Sequence, residues 1–131
     1  KQATKYKYEN MNFDSKPEIA YYIWLKDNNI DFEFQPNVKF EYLYENKLYY
    51  YIPDFKVENE YIEIKGLQFF KNYDINETMI NPFDRTQDAK YEAKHQCMIK
   101  NNVKILTNTK IYEDYIKNKY GRTYLDSFKR K

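Results

Sequence analysis

The sequence predicts an α/β fold in which helices flank a mixed β-sheet, in the order α-β-β-β-α-β with a further C-terminal helix. Three segments space their apolar residues as amphipathic helices do, and the segments between the first two helices alternate as strands do. The last short strand, residues 103–106, follows the second helix. It should therefore pair in parallel with residues 60–66 through a right-handed crossover. The 131 residues are enough for one domain.

The first helix begins at Ser15 and ends at residues 27–29, where Asp-Asn-Asn interrupts the apolar pattern. Ser15 is a good N-cap, and Pro17 is tolerated in the first turn. Ser-x-x-Glu is also a capping box, in which the Glu18 carboxylate accepts a hydrogen bond from the Ser15 amide. Taken alone, this segment favours a capping role for Glu18.

Strand-like segments follow this helix. They are residues 31–35, 38–44, 48–55 and 60–65. The turn at residues 45–47 joins the second and third segments into an antiparallel hairpin. Pro53 lacks an amide donor and suits the end of strand pairing, which frees the chain to aim Asp54 into a cleft. Gln35 either lies beside that cleft or closes an edge strand.

The connection after the last of these strands is long and aromatic but has no clear periodicity. Connections of this kind are often functional loops. We expect an insertion over residues 67–84 that flanks the cleft or makes a dimer contact. A packed satellite of the core is the alternative.

Asp84 or Thr86 caps the second helix, residues 86–101, which has a seam of small apolar residues for packing on the sheet. The seam consists of Ala89, Ala93 and Cys97. Lys90 and Lys94 share a different face of this helix. They either contact phosphate or belong to a solvated charged surface.

The two ends of the chain are polar and basic. Residues 1–12 interleave Lys and Tyr, and are either a frayed terminus or an arm on nucleic acid. A third helix stops at Gly121, and residues 121–131 form a basic tail that is solvated or makes a weak DNA contact. The predicted organisation is therefore an arm, a folded domain over residues 13–120 and a tail.

Composition excludes several classes of function. A balance of 22 basic and 20 acidic residues gives no global field for nucleic acid, so DNA contacts must come from local patches. With one cysteine, Cys97, and one histidine, His95, there is no intramolecular disulfide and no His/Cys zinc cluster. We expect His95 on the surface and Cys97 as a packed thiol. No apolar run approaches ~18 residues, so no membrane span is expected.

The strand at residues 60–65 carries the most informative chemistry. Its alternation puts Glu63 and Lys65 on one face, and Asp54 near the end of the preceding strand can reach the same place. Neighbouring carboxylates repel each other unless a cation joins them, and a lysine beside them suits a negatively charged reactant. This combination is typical of metal-assisted phosphodiester hydrolysis.

The residues around this strand resemble a known nuclease signature. The pattern that resembles PD-(D/E)xK is Pro53-Asp54 and then, after a short spacer, Glu63-x-Lys65-Gly66. The residues upstream that extend it are Phe13-Asp14-Ser15-Lys16-x-Glu18, a helical stretch and Phe34-Gln35-Pro36. The whole array resembles small phage-borne PD-(D/E)xK proteins over residues 13–66, and more faintly over 86–106.

This resemblance implies a restriction-endonuclease-like core that is a divalent-metal-dependent nuclease domain. In it, Asp54 and Glu63 bind Mg²⁺ or Mn²⁺, with the backbone carbonyl of Ile64 as a third ligand. Lys65 orients or helps to deprotonate the attacking water, and Glu18 holds a metal-bound water or a second ion. The residues expected to contact nucleic acid are Lys16, Gln35, Lys90 and Lys94.

We therefore expect an endonuclease that hydrolyses DNA, encoded by a phage or mobile element, with a structure-specific, junction-resolvase-like activity as one form of it. The alternative is a catalytically silent nucleic-acid-binding or assembly domain with the same fold. Expected partners are DNA and either a second copy in a homodimer or a larger mobile-element complex. The expected location is cytoplasmic, on DNA, and no membrane contact is expected.

Overall fold

The described part of the chain, residues 4–130 of a computed structural model, is α/β with three α-helices and a mixed sheet. The helices are α1 (Lys16–Asp27), α2 (Asp88–Lys100) and α3 (Lys110–Tyr120). The strands are β1 (Tyr6–Tyr8), β2 (Met11–Phe13), β3 (Phe32–Phe34), β4 (Phe40–Tyr44), β5 (Lys47–Tyr51), β6 (Phe55–Val57), β7 (Glu60–Ile64) and β8 (Lys104–Leu106). The predicted α/β class with a mixed sheet is confirmed.

The chain forms two compact units. Within the described residues, the first unit comprises 4–32 and 108–130, and the second comprises 33–107. The predicted division into arm, domain and tail remains a prediction, and residues 1–3 of the arm and 131 of the tail lie outside the described part. Between residues 4 and 130, no helix is long and apolar enough to cross a membrane.

The first unit begins with a β-hairpin. β1 and β2 pair antiparallel across a turn at Glu9 and Asn10, which both have positive φ. Tyr6 and Phe13, a cross-strand pair in this hairpin, are only 4% and 0% exposed. The expectation of a frayed terminus is therefore wrong from Tyr6 onward, because these aromatic side chains are removed from water.

The helices of the first unit begin and end where local chemistry predicts. α1 has Ser15 as its N-cap, and the Ser15 Oγ accepts a hydrogen bond from the Glu18 amide at 3.3 Å. α3 ends at Gly121, whose φ of 108° is accessible to glycine without strain. The segment after it is anchored at Leu125, which is 3% exposed, whereas Arg122, Lys129 and Arg130 are exposed as expected for a solvated tail.

The second unit is built on the sheet β3-β6-β7-β8. β6 pairs antiparallel with β7, and β7 pairs in parallel with β8, to which it is connected through α2. The predicted parallel pairing across a helical connection is confirmed. β7 is an internal strand, so the side chains on both of its faces are candidates for burial.

The predicted strand over residues 48–55 is wrong as a single element. β5 ends at Tyr51 and pairs only with β4, whereas β6 starts at Phe55 and belongs to the four-stranded sheet. Pro53 lies between them, is fully buried and has no amide to donate to a ladder. The chain therefore changes sheets at this proline, immediately before Asp54.

The aromatic connection after β7 packs into the core of the second unit. Phe70 and Met79 form an isolated antiparallel bridge and are 1% and 0% exposed. They join a cluster with Tyr51, Cys97 and Met98. The packed-satellite alternative for this segment is therefore the one that the structure supports, and Cys97 is a packed thiol as predicted.

α2 differs from its prediction at both ends and in its buried face. It begins at Asp88, after a short 3₁₀ turn at Arg85–Gln87 that Asp84 caps through the Thr86 amide. Ala89 is exposed, so the predicted small-residue seam does not extend to it. His95 is 5% exposed rather than on the surface, and its Nδ1 lies 3.1 Å from Glu92 Oε1.

Burial of Met79 generates a test of this packing. We expect Met79→Ala to lower the free energy of unfolding by about 2–5 kcal/mol, because a buried methionine is replaced by a cavity. Thr78→Ala, at the neighbouring exposed position, should change it by less than about 0.5 kcal/mol. Urea denaturation followed by circular dichroism measures both, and equal effects would contradict a packed connection.

Candidate active site

The β6–β7 hairpin brings two carboxylates to one place in the second unit. Phe55 pairs with Ile62, so continuing the register by one residue puts Asp54 opposite Glu63 on the same face. The Asp54 carboxylate accepts a hydrogen bond from the Ile64 amide at 2.8 Å. Beyond the last β6–β7 pair, the Asp54 side chain thus accepts the hydrogen bond from the β7 amide in place of a backbone carbonyl. This hydrogen bond holds the carboxylate against β7.

Glu63 is the most buried charged group of this site. It is 4% exposed, and its Oε1 accepts a hydrogen bond of 2.6 Å from the Tyr51 hydroxyl on β5. Its other oxygen, Oε2, lies 3.9 Å from the Lys65 ammonium. The Lys65 Nζ in turn lies 4.6 Å from the centroid of the Phe69 ring. The carboxylate is therefore held between a hydroxyl donor and a cation.

α2 adds two lysines one helical turn apart. Lys94 is half-buried, with its Nζ 5.9 Å from the Tyr51 ring and 5.8 Å from the Tyr91 ring. Lys90 is half-buried with its Nζ 4.0 Å from the Tyr49 ring. Both lysines therefore lie close to aromatic rings, and the choice between a phosphate contact and a solvated charged surface stays a prediction.

Burial and charge shift the titration of this cluster. Burial raises the pKa of Glu63, and the positive charges of Lys65 and Lys94 with hydrogen bonds from Tyr51 and the Asp54 backbone offset part of that effect. Burial also raises the pKa of Tyr51, as does its bond to Glu63, so the hydroxyl remains a donor. Burial lowers the pKa of Lys94, the charge of Lys65 lowers it further, and Glu63 and Asp54 oppose this.

The predicted site residues fall into two groups. Asp54, Glu63, Ile64 and Lys65 come together in the second unit, and Lys94 acts on the same carboxylates. Gln35 contributes through its backbone, because its amide, at a φ of 50°, donates to the Asp54 carbonyl at 2.8 Å. Its side chain is exposed, and contact between that side chain and nucleic acid stays a prediction.

The remaining predicted residues belong to the first unit. Glu18 is 3% exposed and its carboxylate accepts a hydrogen bond from the Asp14 amide at 3.3 Å, one residue earlier than the predicted Ser15 amide. Lys16 forms an ion pair of 2.8 Å with Asp126. Capping at this helix start is thus observed, whereas a catalytic role for Glu18 and a nucleic-acid contact for Lys16 stay predictions.

The donor set suits a hard cation better than a soft one. Asp54, Glu63 and the Ile64 carbonyl all offer oxygen, which Mg²⁺ and Mn²⁺ prefer. Over residues 4–130, no group of three or more His, Cys, Asp and Glu side chains could hold a metal ion. Two carboxylates with a carbonyl still match the habit of Mg²⁺, which keeps several waters and uses one or two carboxylates.

Tyr51 and the aromatic residues beside the lysines were missed by sequence reasoning. Tyr51 lies three residues before Asp54, and Tyr49 shares its strand face with the same period-two spacing. That spacing was the available signal, but abundant tyrosine elsewhere in the chain obscured it.

Comparison with known proteins finds no matching family model, no matching curated relative and no matching solved structure.

Burial of Glu63 predicts a pH-dependent cost to folding. The pKa of Glu63 is raised above its ordinary value of 4.5, so its neutral form stabilises the folded state below that pH. This stability is lost as pH rises through the higher folded-state pKa. We expect Glu63→Gln to be more stable than the parent at pH 7, because the neutral amide avoids the cost of burying a charge.

The gain from Glu63→Gln should disappear when the pH falls below 4.5, where the parent side chain is also neutral in both states. Urea denaturation of both proteins across this pH range measures the difference. Glu60→Gln, at an exposed position on the same strand, is the matched control and should change stability by less than about 0.5 kcal/mol. A parent as stable as Glu63→Gln at neutral pH would contradict the burial cost.

Proposed function

We propose that this chain is a Mg²⁺- or Mn²⁺-dependent deoxyribonuclease of the PD-(D/E)xK type, with a restriction-endonuclease-like core in its second unit. The observation that carries the proposal is the meeting of Asp54, Glu63 and Lys65 at one end of the β6–β7 pair. The internal position of β7, antiparallel to β6 and parallel to β8, supports the same reading.

The residues of this site suit hydrolysis of a phosphodiester. Asp54 and Glu63 would hold the metal with the Ile64 carbonyl, and a bound hard cation would polarise the phosphate and stabilise the leaving oxygen. Tyr51 fixes the Glu63 carboxylate through its 2.6 Å hydrogen bond. Lys65 would orient the attacking water, and its positive charge would offset the charge that develops on the phosphate.

Lys94 gives the site a second cation with a different position. It approaches from α2, whereas Lys65 extends from the end of β7. A DNA phosphate that contacts Lys94 would lie beside the same carboxylates, because the charges of Glu63 and Asp54 act on this lysine. One such site hydrolyses one strand at a time, so cutting a duplex completely requires a homodimer or two binding events.

The test is a cleavage panel of plasmid, linear duplex, single strand, four-way junction and RNA with Mg²⁺ or Mn²⁺. We expect cleavage of at least one DNA substrate, and a loss of at least about 100-fold in rate for Asp54→Asn and for Lys65→Ala, the size expected for removing a group that acts directly on the reaction. Lys71→Ala, at an exposed position in the same unit, is the control and should cleave like the parent. No cleavage of any substrate, or full activity in both site variants, would contradict the proposal.

The second candidate function is a catalytically silent DNA-binding or assembly domain. It is favoured by the ammonium groups of Lys65 and Lys94, which already supply positive charge around Glu63 without a metal. Isothermal titration calorimetry with Mn²⁺ separates the two functions. Uptake of Mn²⁺ that Asp54→Asn abolishes supports the nuclease, whereas DNA binding without Mn²⁺ uptake supports the silent domain.

A further inference from the structure

A pocket of about 230 Å³ lies between the β4–β5 hairpin and the start of α2 in the second unit. Four tyrosines, two lysines and one glutamine line it. Its volume is below the roughly 300–1,000 Å³ that is typical of sites for drug-sized ligands. The pocket is therefore suited to one small ring system, and its lining combines flat aromatic surfaces with positive charge.

The aromatic part of the pocket is held in place by its neighbours. The Tyr49 ring stacks on Tyr42, with centroids 5.7 Å apart and an interplanar angle of 24°. Lys90 Nζ lies 4.0 Å from the Tyr49 centroid, and Lys94 Nζ lies 5.8 Å from the Tyr91 centroid. Because Tyr42 and Lys90 already lie against the Tyr49 ring, a base stacks on this ring only if the Lys90 ammonium moves from the ring to the phosphate. Tyrosines beside lysines bind single-stranded nucleic acid in this way, since bases stack on the rings and the cations follow the backbone.

Gln87 adds a polar group to this lining. It is the residue before α2, and its side chain makes no capping hydrogen bond to the helix. A glutamine amide offers both donors and an acceptor, so it can pair with the edge of a base. An apolar ligand would form no hydrogen bond with the Gln87 amide and no ion pair with the lysines, and a bare phosphate would not stack on the tyrosine rings.

Lys94 connects this pocket to the carboxylate site. It lines the pocket, and it is also the lysine on which the charges of Lys65, Glu63 and Asp54 act. Tyr49 and Tyr51 alternate with Tyr50 along β5, so the strand that gives the pocket its ring also gives Glu63 its hydroxyl donor. A ligand in the pocket therefore lies next to the proposed reaction centre.

We propose that this pocket holds one unpaired base of a DNA substrate beside the phosphate that is cut, which makes DNA with unpaired nucleotides the preferred substrate class. The position of the cut phosphate rests on the proposed nuclease function, whereas occupancy of the pocket by a base does not. A paired base reaches such a pocket only after it leaves the stack, at an energetic cost that is least where the base is already unpaired. Fully paired duplex is therefore the poorer substrate.

Fluorescence anisotropy in an Asp54→Asn background, where cleavage is suppressed, measures the proposed binding. The labelled probes are oligothymidylate, a fully paired duplex and the same duplex with one unpaired thymine. We expect Tyr49→Ala to weaken binding of the two probes with unpaired thymine by about tenfold, the effect of losing one stacked base, and to leave the paired duplex unchanged. Tyr49→Phe keeps the ring and should bind like its parent.

Two further variants serve as controls for this experiment. Tyr73→Ala removes a tyrosine that is 72% exposed and outside the pocket, so it should not change the affinity for any of the probes. If Tyr49→Ala does not fold, Tyr49→Leu keeps an apolar side chain without an aromatic face and provides the same test. Equal weakening of all probes, or no weakening of any probe, overturns the base pocket.

Cleavage by the unsubstituted chain separates this inference from the proposed function. Equal cleavage rates on paired and unpaired DNA would overturn the base pocket and leave the nuclease standing. Selective binding of unpaired DNA that depends on the Tyr49 ring, with no cleavage under any metal, would support the pocket and overturn the nuclease. Faster cleavage of DNA with unpaired bases, lost with Tyr49→Ala but kept with Tyr49→Phe, supports both.

Discussion

The buried carboxylate of Glu63 is the constraint on which the second unit depends. A carboxylate that is 4% exposed is unfavourable unless hydrogen bonds and opposite charges surround it. Tyr51 donates to it from β5, Lys65 lies beyond the end of β7, and Lys94 approaches from α2. Elements that are far apart in sequence must therefore pack in one arrangement, because another arrangement would leave the charge without partners.

The same constraint explains why the chain changes sheets between Tyr51 and Asp54. Both side chains serve this site, since the Tyr51 hydroxyl donates to Glu63 and the Asp54 carboxylate accepts from the Ile64 amide. In one continuous strand, side chains three residues apart point to opposite faces and could not reach the same site. The buried Pro53, which has no amide to donate, provides the interruption.

Much of the fold could be predicted from local signals, and the rest could not. Ser15 and Gly121 mark helix ends through their own backbone chemistry, and the parallel pairing of β7 with β8 follows from the connection through α2. Burial of His95, and of Tyr6 and Phe13 in the first hairpin, depends on packing between distant segments. For the site, alternation along β7 was enough to pair Glu63 with Lys65. The roles of Tyr51 and Lys94 appear only when β5 and α2 pack around them.

Lys94 lines the tyrosine pocket and also interacts electrostatically with the carboxylates of Glu63 and Asp54. It sits one helical turn after Lys90, so the two ammonium groups follow the same face of α2 from the pocket towards Glu63. If the proposed phosphate contact neutralises Lys94, the buried Glu63 carboxylate would feel less positive charge, and a divalent cation beside it would become more favourable. By thermodynamic linkage, a cation at the carboxylates would favour the phosphate contact of Lys94 to the same extent. A substrate phosphate and a metal ion would then strengthen each other's binding through one side chain, with no movement of the backbone.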